Sequence, residues 1–310
     1  MFFHIKNDFN DCMLKYFDVI SSKSYKDVTW ESGVSFLGGR NYKYPLHYIN
    51  INGWHCFYSK YRSTYYYVTP PYRVDKSIYE YSDLVMLLHE LQKFGKLSEQ
   101  QIIYSIVYDD KLIQSFSNDV EFELYAPEIK SFIFDRQKVV TMSGRFYQNK
   151  RTMIHKFKRE HPNAFVRIAN VHDINDIHKI RQKWCSLKDF KGVLVHDKLT
   201  FANEISFIFS DFGKRFGKMY VCEENNEILG YVSFGLLCRD AIQTLHRQCI
   251  QTPEYKGLSD YMFVESLKLF DVNCIYINDG NGGLISNSNY FWKQHYNPVD
   301  MVNSGSLAKR

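Results

Sequence analysis

The first half of the chain alternates between short strand-like runs and one helical run. Residues 46–51 and 54–58 flank Asn52-Gly53, a dipeptide typical of the type I′ turn that joins two strands in a hairpin. Four leucines at i, i+3, i+4 and i+7 predict a helix, with Gly95 as its left-handed stop: Leu84, Leu87, Leu88 and Leu91. Further strands are expected at 65–69, 101–108, 121–125 and 129–135. This pattern predicts a mixed α/β (α+β) lobe.

The second half has the clearer order of elements. A strand at 165–169 precedes two helices, each marked by apolar residues at i, i+3, i+7 and i+10. These residues are Ile177, Ile180, Trp184 and Leu187 in the first helix, and Ala202, Ile205, Phe209 and Phe212 in the second. The elements expected next are a hairpin at 218–222 and 228–236 around Asn225-Asn226, a strand at 241–249, a helix within 251–270, a strand at 274–278, a glycine-rich turn at 280–283 and a helix to about His295.

A basic segment separates the two halves. Residues 143–161 contain six Lys or Arg and a single Glu, and Pro162 ends the run. Helical spacing places an apolar set on one face and a basic set on another. The apolar set is Phe146, Met153 and Phe157, and the basic set is Arg151, His155 and Lys158. The segment is therefore predicted to be a basic connecting helix.

The length of the chain predicts two lobes, because 310 residues exceed what one compact domain usually holds. The expected division is an N-terminal lobe at 1–144, the connecting helix at 145–162 and a C-terminal lobe at 163–310.

Composition narrows the class of protein. The seven cysteines show no C-x-x-C pair or zinc-like spacing, so we expect reduced, mostly buried thiols and no metal site. Charged residues interrupt the apolar residues of 1–17, and no apolar run approaches the roughly 20 residues of a membrane span. These features predict a cytoplasmic protein. The net charge of +5 permits a phosphate-rich partner without requiring one.

Two patches resemble the phosphatidylglycerol lysyltransferase C-terminal family. The first runs from Ser131-Phe132-Ile133-Phe134-Asp135 through Ser143-Gly144-Arg145 to Phe157-Lys158-Arg159-Glu160-His161-Pro162, and is similar to the family's basic segment after an aromatic strand. The second comprises Tyr276-Ile277-Asn278-Asp279, Gly283-Leu284 and Trp292-Lys293-Gln294-His295-Tyr296-Asn297-Pro298, and is similar to the family's ending. The resemblance covers roughly residues 46–299, although the first hundred residues match only in character.

The chain also departs from the expected patterns. Asp279 is followed by Gly280, Asn281, Gly282 and Gly283, where the family typically has acidic residues. The loop 251–259 lies where acyltransferases that use coenzyme A (CoA) carry a glycine-rich phosphate loop, but only Gly257 fits. Because a pyrophosphate needs several bare backbone amides at a helix N-terminus, this loop disfavours CoA as donor.

The resemblance implies two tandem lobes of the GCN5-related N-acetyltransferase (GNAT) type. It further implies transfer of an aminoacyl group from aminoacyl-tRNA to an amine or hydroxyl acceptor, with no cofactor. The acceptor can be a small molecule, a peptide or a lipid headgroup. Two alternatives stay open, namely an acyl-CoA-dependent N-acyltransferase and an inactive RNA-binding or scaffold protein of the same fold. An aminoacyl ester is already activated, so positioning and proton transfer suffice without a nucleophile triad.

Three residues are candidates for the catalytic site. A neutral imidazole at His246 could take a proton from the acceptor, although a hydrogen-bonded structural histidine explains the residue equally simply. Asp279 could orient an amine or act as a helix cap. Lys293, which matches the family's lysine, could stabilise an oxyanion or hold a phosphate, or could be a solvated surface residue.

Binding residues are expected on both sides of these candidates. The donor or its phosphates are assigned to Lys150, Arg151, Lys158, Arg159, Lys256 and Gly257, with tRNA as the expected partner. The acceptor is assigned to Thr244, Gln248, Asn278 and Tyr296, and an alternating strand would place Thr244, His246 and Gln248 on one face. A solvated basic face is the alternative for the charge run. The tyrosines at 65–67 could stack a tRNA end or build a core.

Overall fold

The structure is a computed structural model that describes residues 9–29, 32–41, 45–61, 65–93, 101–125, 130–187, 194–271, 273–281 and 293–310. Its helices are α1 (Phe9–Ile20), α2 (Val34–Asn41), α3 (Tyr81–Lys93), α4 (Asp110–Ser117), α5 (Arg136–Thr141), α6 (Gln148–Glu160), α7 (Ile174–Leu187), α8 (Leu194–Phe209) and α9 (Leu258–Leu269). Its strands are β1 (His47–Ile51), β2 (Trp54–Tyr61), β3 (Tyr65–Val68), β4 (Gln101–Val107), β5 (Phe122–Tyr125), β6 (Lys130–Asp135), β7 (Phe165–Ile168), β8 (Gly217–Glu224), β9 (Glu227–Leu236), β10 (Ala241–Cys249), β11 (Tyr276–Asn281) and β12 (Asp300–Lys309).

All of these strands belong to one mixed sheet. The strand order is β1-β2-β3-β4-β12-β6-β11-β10-β9-β8-β7, and β5 pairs with β12 beside this path. Strand β12 joins the two halves of the chain, because one of its edges pairs with β4 while the other pairs first with β6 and then with β5. The mixed α/β fold class is confirmed. The division into lobes at 1–144, 145–162 and 163–310 stays a prediction.

The predicted turns formed as expected. Strands β1 and β2 pair antiparallel across Asn52 and Gly53, which have φ angles of 51° and 81°. Strands β8 and β9 pair in the same way across Asn225 and Asn226, with φ angles of 51° and 67°. Positive φ at both central residues is the requirement of a type I′ turn, and Asn and Gly tolerate it best. The predicted helical stop at Gly95 lies outside the described residues.

The second-half sheet has two differently covered faces. On the first, which we call the α9 face, residues of α5, α6 and α9 pack on alternate strand residues such as Tyr220 and Cys222. On the second, the α8 face, α7 and α8 pack on the intervening residues Met219 and Val221, and α1 and α2 cover the neighbouring part of the sheet. Strand alternation therefore decides to which face each side chain of the site points.

Helix α6 is the predicted connecting helix, shortened by one turn. It begins at Gln148 because residues 145–147 form a separate 3₁₀ turn. Its apolar side, through Ile154 and Phe157, lies in the core of the α9 face, whereas Phe146 stays half exposed. Beyond the C-terminus of α6, the ring of His161 stacks between Phe157 and Tyr255 and contacts the Glu224 carboxylate at 2.9 Å.

Gly257 sets the distance between α6 and α9. It caps α9 at a φ of +99°, and a Cβ added there would overlap the carbonyl oxygen of Met153 in α6. Only glycine accommodates both the left-handed backbone and this close approach.

Replacement of Gly257 by alanine tests this packing, with Gly144→Ala as its control. Gly144 also has a positive φ, of +90°, but nothing lies within 4 Å of the position that a Cβ would take there. We expect Gly144→Ala to lower the free energy of unfolding by about 1–3 kcal/mol through backbone strain alone. Gly257→Ala should cost roughly 1–3 kcal/mol more because of the overlap. Urea denaturation measures both, and equal losses would contradict the close approach.

Candidate active site

The site begins where two parallel strands part. Strands β10 and β11 pair only over Ala241–Gln243 and Tyr276–Asn278. Beyond these residues β10 stays paired with β9 as far as Cys249, while β11 stays with β6 on its other edge. We call the opening after Gln243 and Asn278 the fork. A fork removes the backbone ladder between two strands, so side chains can meet inside the sheet.

Three charged side chains meet at the fork on the α9 face. Arg247 from β10 approaches Asp279 from β11, with 3.4 Å between the guanidinium nitrogen and the carboxylate oxygen. Lys293 Nζ lies 3.3 Å from the same carboxylate oxygen and also donates to the backbone carbonyls of Asp279 and Gly280. The side chains are between 3% and 12% exposed, so one carboxylate holds two buried cations.

The network continues from the fork toward α6. Tyr296 donates its hydroxyl hydrogen to Asp260, which lies in the first turn of α9. Lys150 of α6 reaches the same carboxylate at 3.2 Å, with its Nζ 3.6 Å from the centroid of the Tyr296 ring. Arg247 lies 3.5 Å from the Tyr296 hydroxyl. We call these six residues the fork cluster: Lys150, Arg247, Asp260, Asp279, Lys293 and Tyr296.

Burial controls the electrostatics of this cluster. It lowers the pKa of the Lys293 ammonium, and the Asp279 carboxylate only partly opposes the shift. The pKa of Lys150 is lowered for the same reason, against the effect of Asp260. Burial, followed by the nearby Asp260 carboxylate, raises the pKa of Tyr296 well above its usual value. Tyr296 is therefore a hydrogen-bond donor at neutral pH and not a base.

On the α8 face, the side chains at the point where the strands part are polar and uncharged. Gln243 and Asn278 lie side by side on β10 and β11, and both are fully buried. Within the described part of the chain, neither the Gln243 carboxamide nor the Asn278 nitrogen has a hydrogen-bond partner, and the Ser35 hydroxyl of α2 is also without one. The Asn278 oxygen accepts from the backbone N–H of Gly280 at 2.9 Å. An unpaired buried polar group costs free energy, so these atoms are candidates for contact with a bound water or ligand.

His246 lies on this α8 face, away from Asp279 and Lys293. The pairing of β10 with β9 shifts by one residue between Thr244 and His246, which is a β-bulge. His246 and Gln248 consequently face α8, while Thr244 points to the α9 face with its neighbour Ile242. The expectation that the three polar residues share a face was wrong for Thr244, because a bulge reverses the alternation.

The structure divides the predicted donor residues into two groups. Lys150 is in the fork cluster, and Arg151 donates to the carbonyls of Met142 and Gly144, so both have structural contacts. By contrast, Lys158, Arg159 and Lys256 are exposed. Gly257 caps α9 beneath α6, as described above.

Of the acceptor candidates, Tyr296 and Asn278 lie at the fork, on opposite faces. The side chains at 65–67 lie outside the described residues.

Two residues of the site escaped sequence analysis although a signal for each existed. Arg247 is a charged residue inside a strand, and Asp260 is a charged residue beside the apolar stretch of α9. Either could have been flagged, since buried charges occur only with partners.

Asp279 was expected between a strand and a helix, but it lies within β11, so its carboxylate serves the fork and not a helix cap. The helix predicted to reach about His295 falls mostly outside the described residues.

The arrangement suits binding of a polar, anionic or carbonyl group. Cations beside a buried fork can hold a phosphate or stabilise an oxyanion, and a carboxylate can hold an ammonium. Among the described residues, no group of three His, Cys, Asp or Glu side chains could bind a metal ion. The described helices include none that is long and apolar enough to cross a membrane.

A family model and several solved structures resemble this chain. Residues 129–283 match the family model described as phosphatidylglycerol lysyltransferase, C-terminal, a narrower span than the resemblance at 46–299. A conserved protein of unknown function from Bacteroides thetaiotaomicron has a TM-score of 0.78 and 14% identity, with 100% of both chains covered. The C-terminal domain of a putative lysylphosphatidylglycerol synthetase from Agrobacterium fabrum has a TM-score of 0.60 and 11% identity, covering 97% of this chain and 92% of that chain.

A third structure connects the fold with tandem acyltransferases. A tandem GNAT protein from the clavulanic acid biosynthesis pathway has a TM-score of 0.55 and 7% identity, covering 97% of this chain and 95% of that chain. No curated protein sequence matches the chain. The tandem GNAT-like fold that the sequence predicted is confirmed by these structural likenesses.

Asp279 should matter most to the stability of the fork cluster. Asp279→Asn leaves Arg247 and Lys293 buried together without their shared carboxylate, so we expect a loss of about 3–5 kcal/mol in the free energy of unfolding. Lys293→Met should cost less, because Asp279 keeps Arg247 and a poorly solvated ammonium is removed.

Urea denaturation of the two variants at neutral pH measures this difference. The control is Asp211→Asn, which breaks the exposed ion pair with Lys214 and should change stability by less than about 1 kcal/mol. A larger loss for Lys293→Met than for Asp279→Asn would contradict the view that the carboxylate holds the cluster together.

Proposed function

Because the chain belongs to the phosphatidylglycerol lysyltransferase C-terminal family, we propose that it transfers an aminoacyl group from aminoacyl-tRNA to an acceptor hydroxyl or amine. Membership makes the chain an acyltransferase with a GNAT-like fold. The observation that carries the finer proposal is the fork cluster, in which one carboxylate and two cations are buried between the parted strands.

The cluster has a group for each charged part of an aminoacyl ester. The Asp279 carboxylate can accept hydrogen bonds from the α-ammonium group of the donor. Lys293 and Arg247 can stabilise the oxyanion that develops as the acceptor attacks the ester carbon, or can bind the phosphate next to the terminal ribose. Desolvation strengthens these interactions, because the effective dielectric constant falls inside the protein. The three roles are proposals for the bound state.

Direct transfer is favoured over a covalent cysteine intermediate. All seven cysteines are buried thiols without disulfide partners. Burial raises the pKa of Cys222 and Cys249, which both lie in the core of the α9 face, to about 12. A thiol attacks as its thiolate, so these residues are unsuitable as nucleophiles at neutral pH. An activated ester needs only positioning and proton transfer.

The exposed basic residues around α6 supply a surface for the donor RNA. His155, Lys158 and Arg159 project from the helix into solvent, and Lys256 lies beside it next to Gly257. Such a surface binds phosphates with little dependence on sequence. The same geometry argues against CoA, because the α6 backbone closely approaches the N-terminal cap of α9 at Gly257. Labelled acetyl-CoA is nevertheless included as the alternative donor in the experiment below.

The proposed acceptor is a lipid headgroup, since phosphatidylglycerol is the acceptor in the family's name. The purified chain is incubated with bulk tRNA charged with labelled amino acids and with phosphatidylglycerol vesicles. We expect label to leave the tRNA and enter the organic extract, whereas label in a soluble product would indicate a small or peptide acceptor. Unchanged aminoacyl-tRNA, together with transfer from labelled acetyl-CoA, would contradict the proposal.

Charge reversal on α6 should weaken tRNA binding without altering the fork. We expect Lys158→Glu with Arg159→Glu to lower tRNA affinity at least tenfold at low salt and to flatten the salt dependence by about 0.7 per lost single-strand phosphate contact. The matched control is Lys179→Glu with Lys183→Glu on α7, an equal charge change at exposed residues of another helix.

Filter binding across a salt series measures both variants. The α7 control should lose much less affinity than the α6 variant. Equal losses would mean that net charge alone governs binding, and would contradict a tRNA surface at α6.

A further inference from the structure

The β-bulge in β10 brings His246 against a carboxylate of α8. In the paired strands, Thr244 lies opposite Phe234 and His246 opposite Ser233, so Leu245 is the additional residue. The bulge turns the imidazole onto the α8 face, where its Nε2 lies 2.6 Å from the Glu204 carboxylate oxygen. The His246 side chain is 16% exposed and that of Glu204 is 9% exposed.

This contact fixes the orientation of the ring. A carboxylate can only accept a hydrogen bond, so Nε2 carries the hydrogen in the neutral imidazole and Nδ1 carries the lone pair. Phe201 packs edge-on against the ring, at 5.0 Å between centroids and 88° between planes. The imidazole is therefore held by the Glu204 carboxylate at one nitrogen and by the Phe201 ring packed beside it.

Helix α2 makes room for the carboxylate. A Cβ added at Gly39 would overlap Cγ of Glu204, and one added at Gly38 would overlap the ring of Phe207. Two consecutive glycines thus let α2 lie directly on α8 and press the Glu204 stem toward β10. The buried carboxylate and its helix are positioned by a segment that lies more than two hundred residues earlier in the chain than β10.

We propose that Glu204 is the positioning residue for His246, which acts as the general base toward an acceptor that enters the fork from the α8 face, opposite the aminoacyl ester on the α9 face. This inference rests on the proposed function. The acceptor O–H or N–H bond breaks, its proton goes to Nδ1 of His246, and the oxygen or nitrogen forms a bond to the ester carbon. The ester bond to the terminal ribose of tRNA then breaks, and the ribose oxygen takes the proton from Nδ1. The Glu204 carboxylate stabilises the transient imidazolium and is not itself protonated.

Phe201 also contacts other titratable and charged side chains on this face. From α7, the ring of His178 packs against Phe201, and the guanidinium of Arg181 lies 4.8 Å from its centroid. From the sheet, Gln248 is engaged by the Tyr231 hydroxyl. Among the described residues, Glu204 is thus the charged group with a hydrogen bond to His246.

The first arm of the test is independent of catalysis. In nitrogen-labelled histidine spectra of the full chain at alkaline pH, the His246 signal is assigned by its absence from His246→Gln. We expect the hydrogen on Nε2 in the wild-type chain. A hydrogen on Nδ1 would overturn the proposal, because the lone pair would then face Glu204.

The second arm uses the aminoacyl-tRNA and phosphatidylglycerol vesicle assay. We expect Glu204→Gln to lower kcat by about tenfold or more with little change in KM for aminoacyl-tRNA. Glu204→Asp, which keeps the charge, should restore most of the wild-type kcat. In a His246→Gln background, Glu204→Gln should have no further effect on kcat.

The outcomes separate the two hypotheses. If the wild-type chain transfers no aminoacyl group to any acceptor, the proposed function fails and the base role falls with it. If the wild-type chain transfers but Glu204→Gln and Glu204→Asp both lose kcat only in proportion to their melting temperatures, with no rescue by the aspartate, Glu204 is merely structural and this inference alone is overturned. Ser206→Ala, an exposed residue of α8, is the control for substitution in that helix.

Discussion

The parting of β10 and β11 is the constraint on which the site depends. Strand β10 is held by β9 along most of its length, and β11 is held on its other edge by β6. Strand β6 is in turn fixed by β12, which also pairs with β4 of the first half. The fork is therefore kept open by backbone hydrogen bonds from both halves of the chain. The fork cannot close without breaking several of these strand pairings at once.

The open fork buries polar and charged side chains, which costs free energy, and the two faces of the sheet accommodate these side chains differently. On the α9 face, buried charges are retained because Asp279 and Asp260 are shared among Arg247, Lys293 and Lys150. Desolvation makes such a cluster a poor source of stability, which favours a role in binding or catalysis. On the α8 face, Gln243 and Asn278 keep unpaired carboxamide atoms, and functional sites are where this kind of local cost is expected.

Local sequence signals predicted the elements that local chemistry determines. The Asn-Gly and Asn-Asn turns formed hairpins, and the order of strands and helices in the second half was correct over the described residues. The final residues, for which no element was predicted, form β12, because a strand's partners are set by distant residues. Helices α1 and α2 were missed as well. Helix α1 packs on Phe57 of β2 and on Tyr72, and α2 packs on α8, and residue spacing does not reveal such distant contacts.

The candidate site was predictable in its residues more than in its arrangement. Asp279, Lys293, Tyr296 and Lys150 were singled out and do meet in one cluster, although their catalytic and binding roles stay predictions. His246 was singled out too, but the bulge that turns it toward Glu204 has no sequence signal. Two of the predicted donor residues, Lys150 and Arg151, have structural contacts instead. The charge of a side chain in the sequence does not tell whether it binds a phosphate or a group of the protein itself.

The most direct measurement is a structure of the chain bound to a tRNA acceptor-stem minihelix carrying a non-hydrolysable 3′-amide-linked amino acid. We expect the aminoacyl group to lie in the fork, with its ammonium on Asp279 and its carbonyl oxygen toward Lys293 or Arg247. An aminoacyl group bound away from β10 and β11, or a minihelix bound on a face remote from α6, would contradict the proposed site.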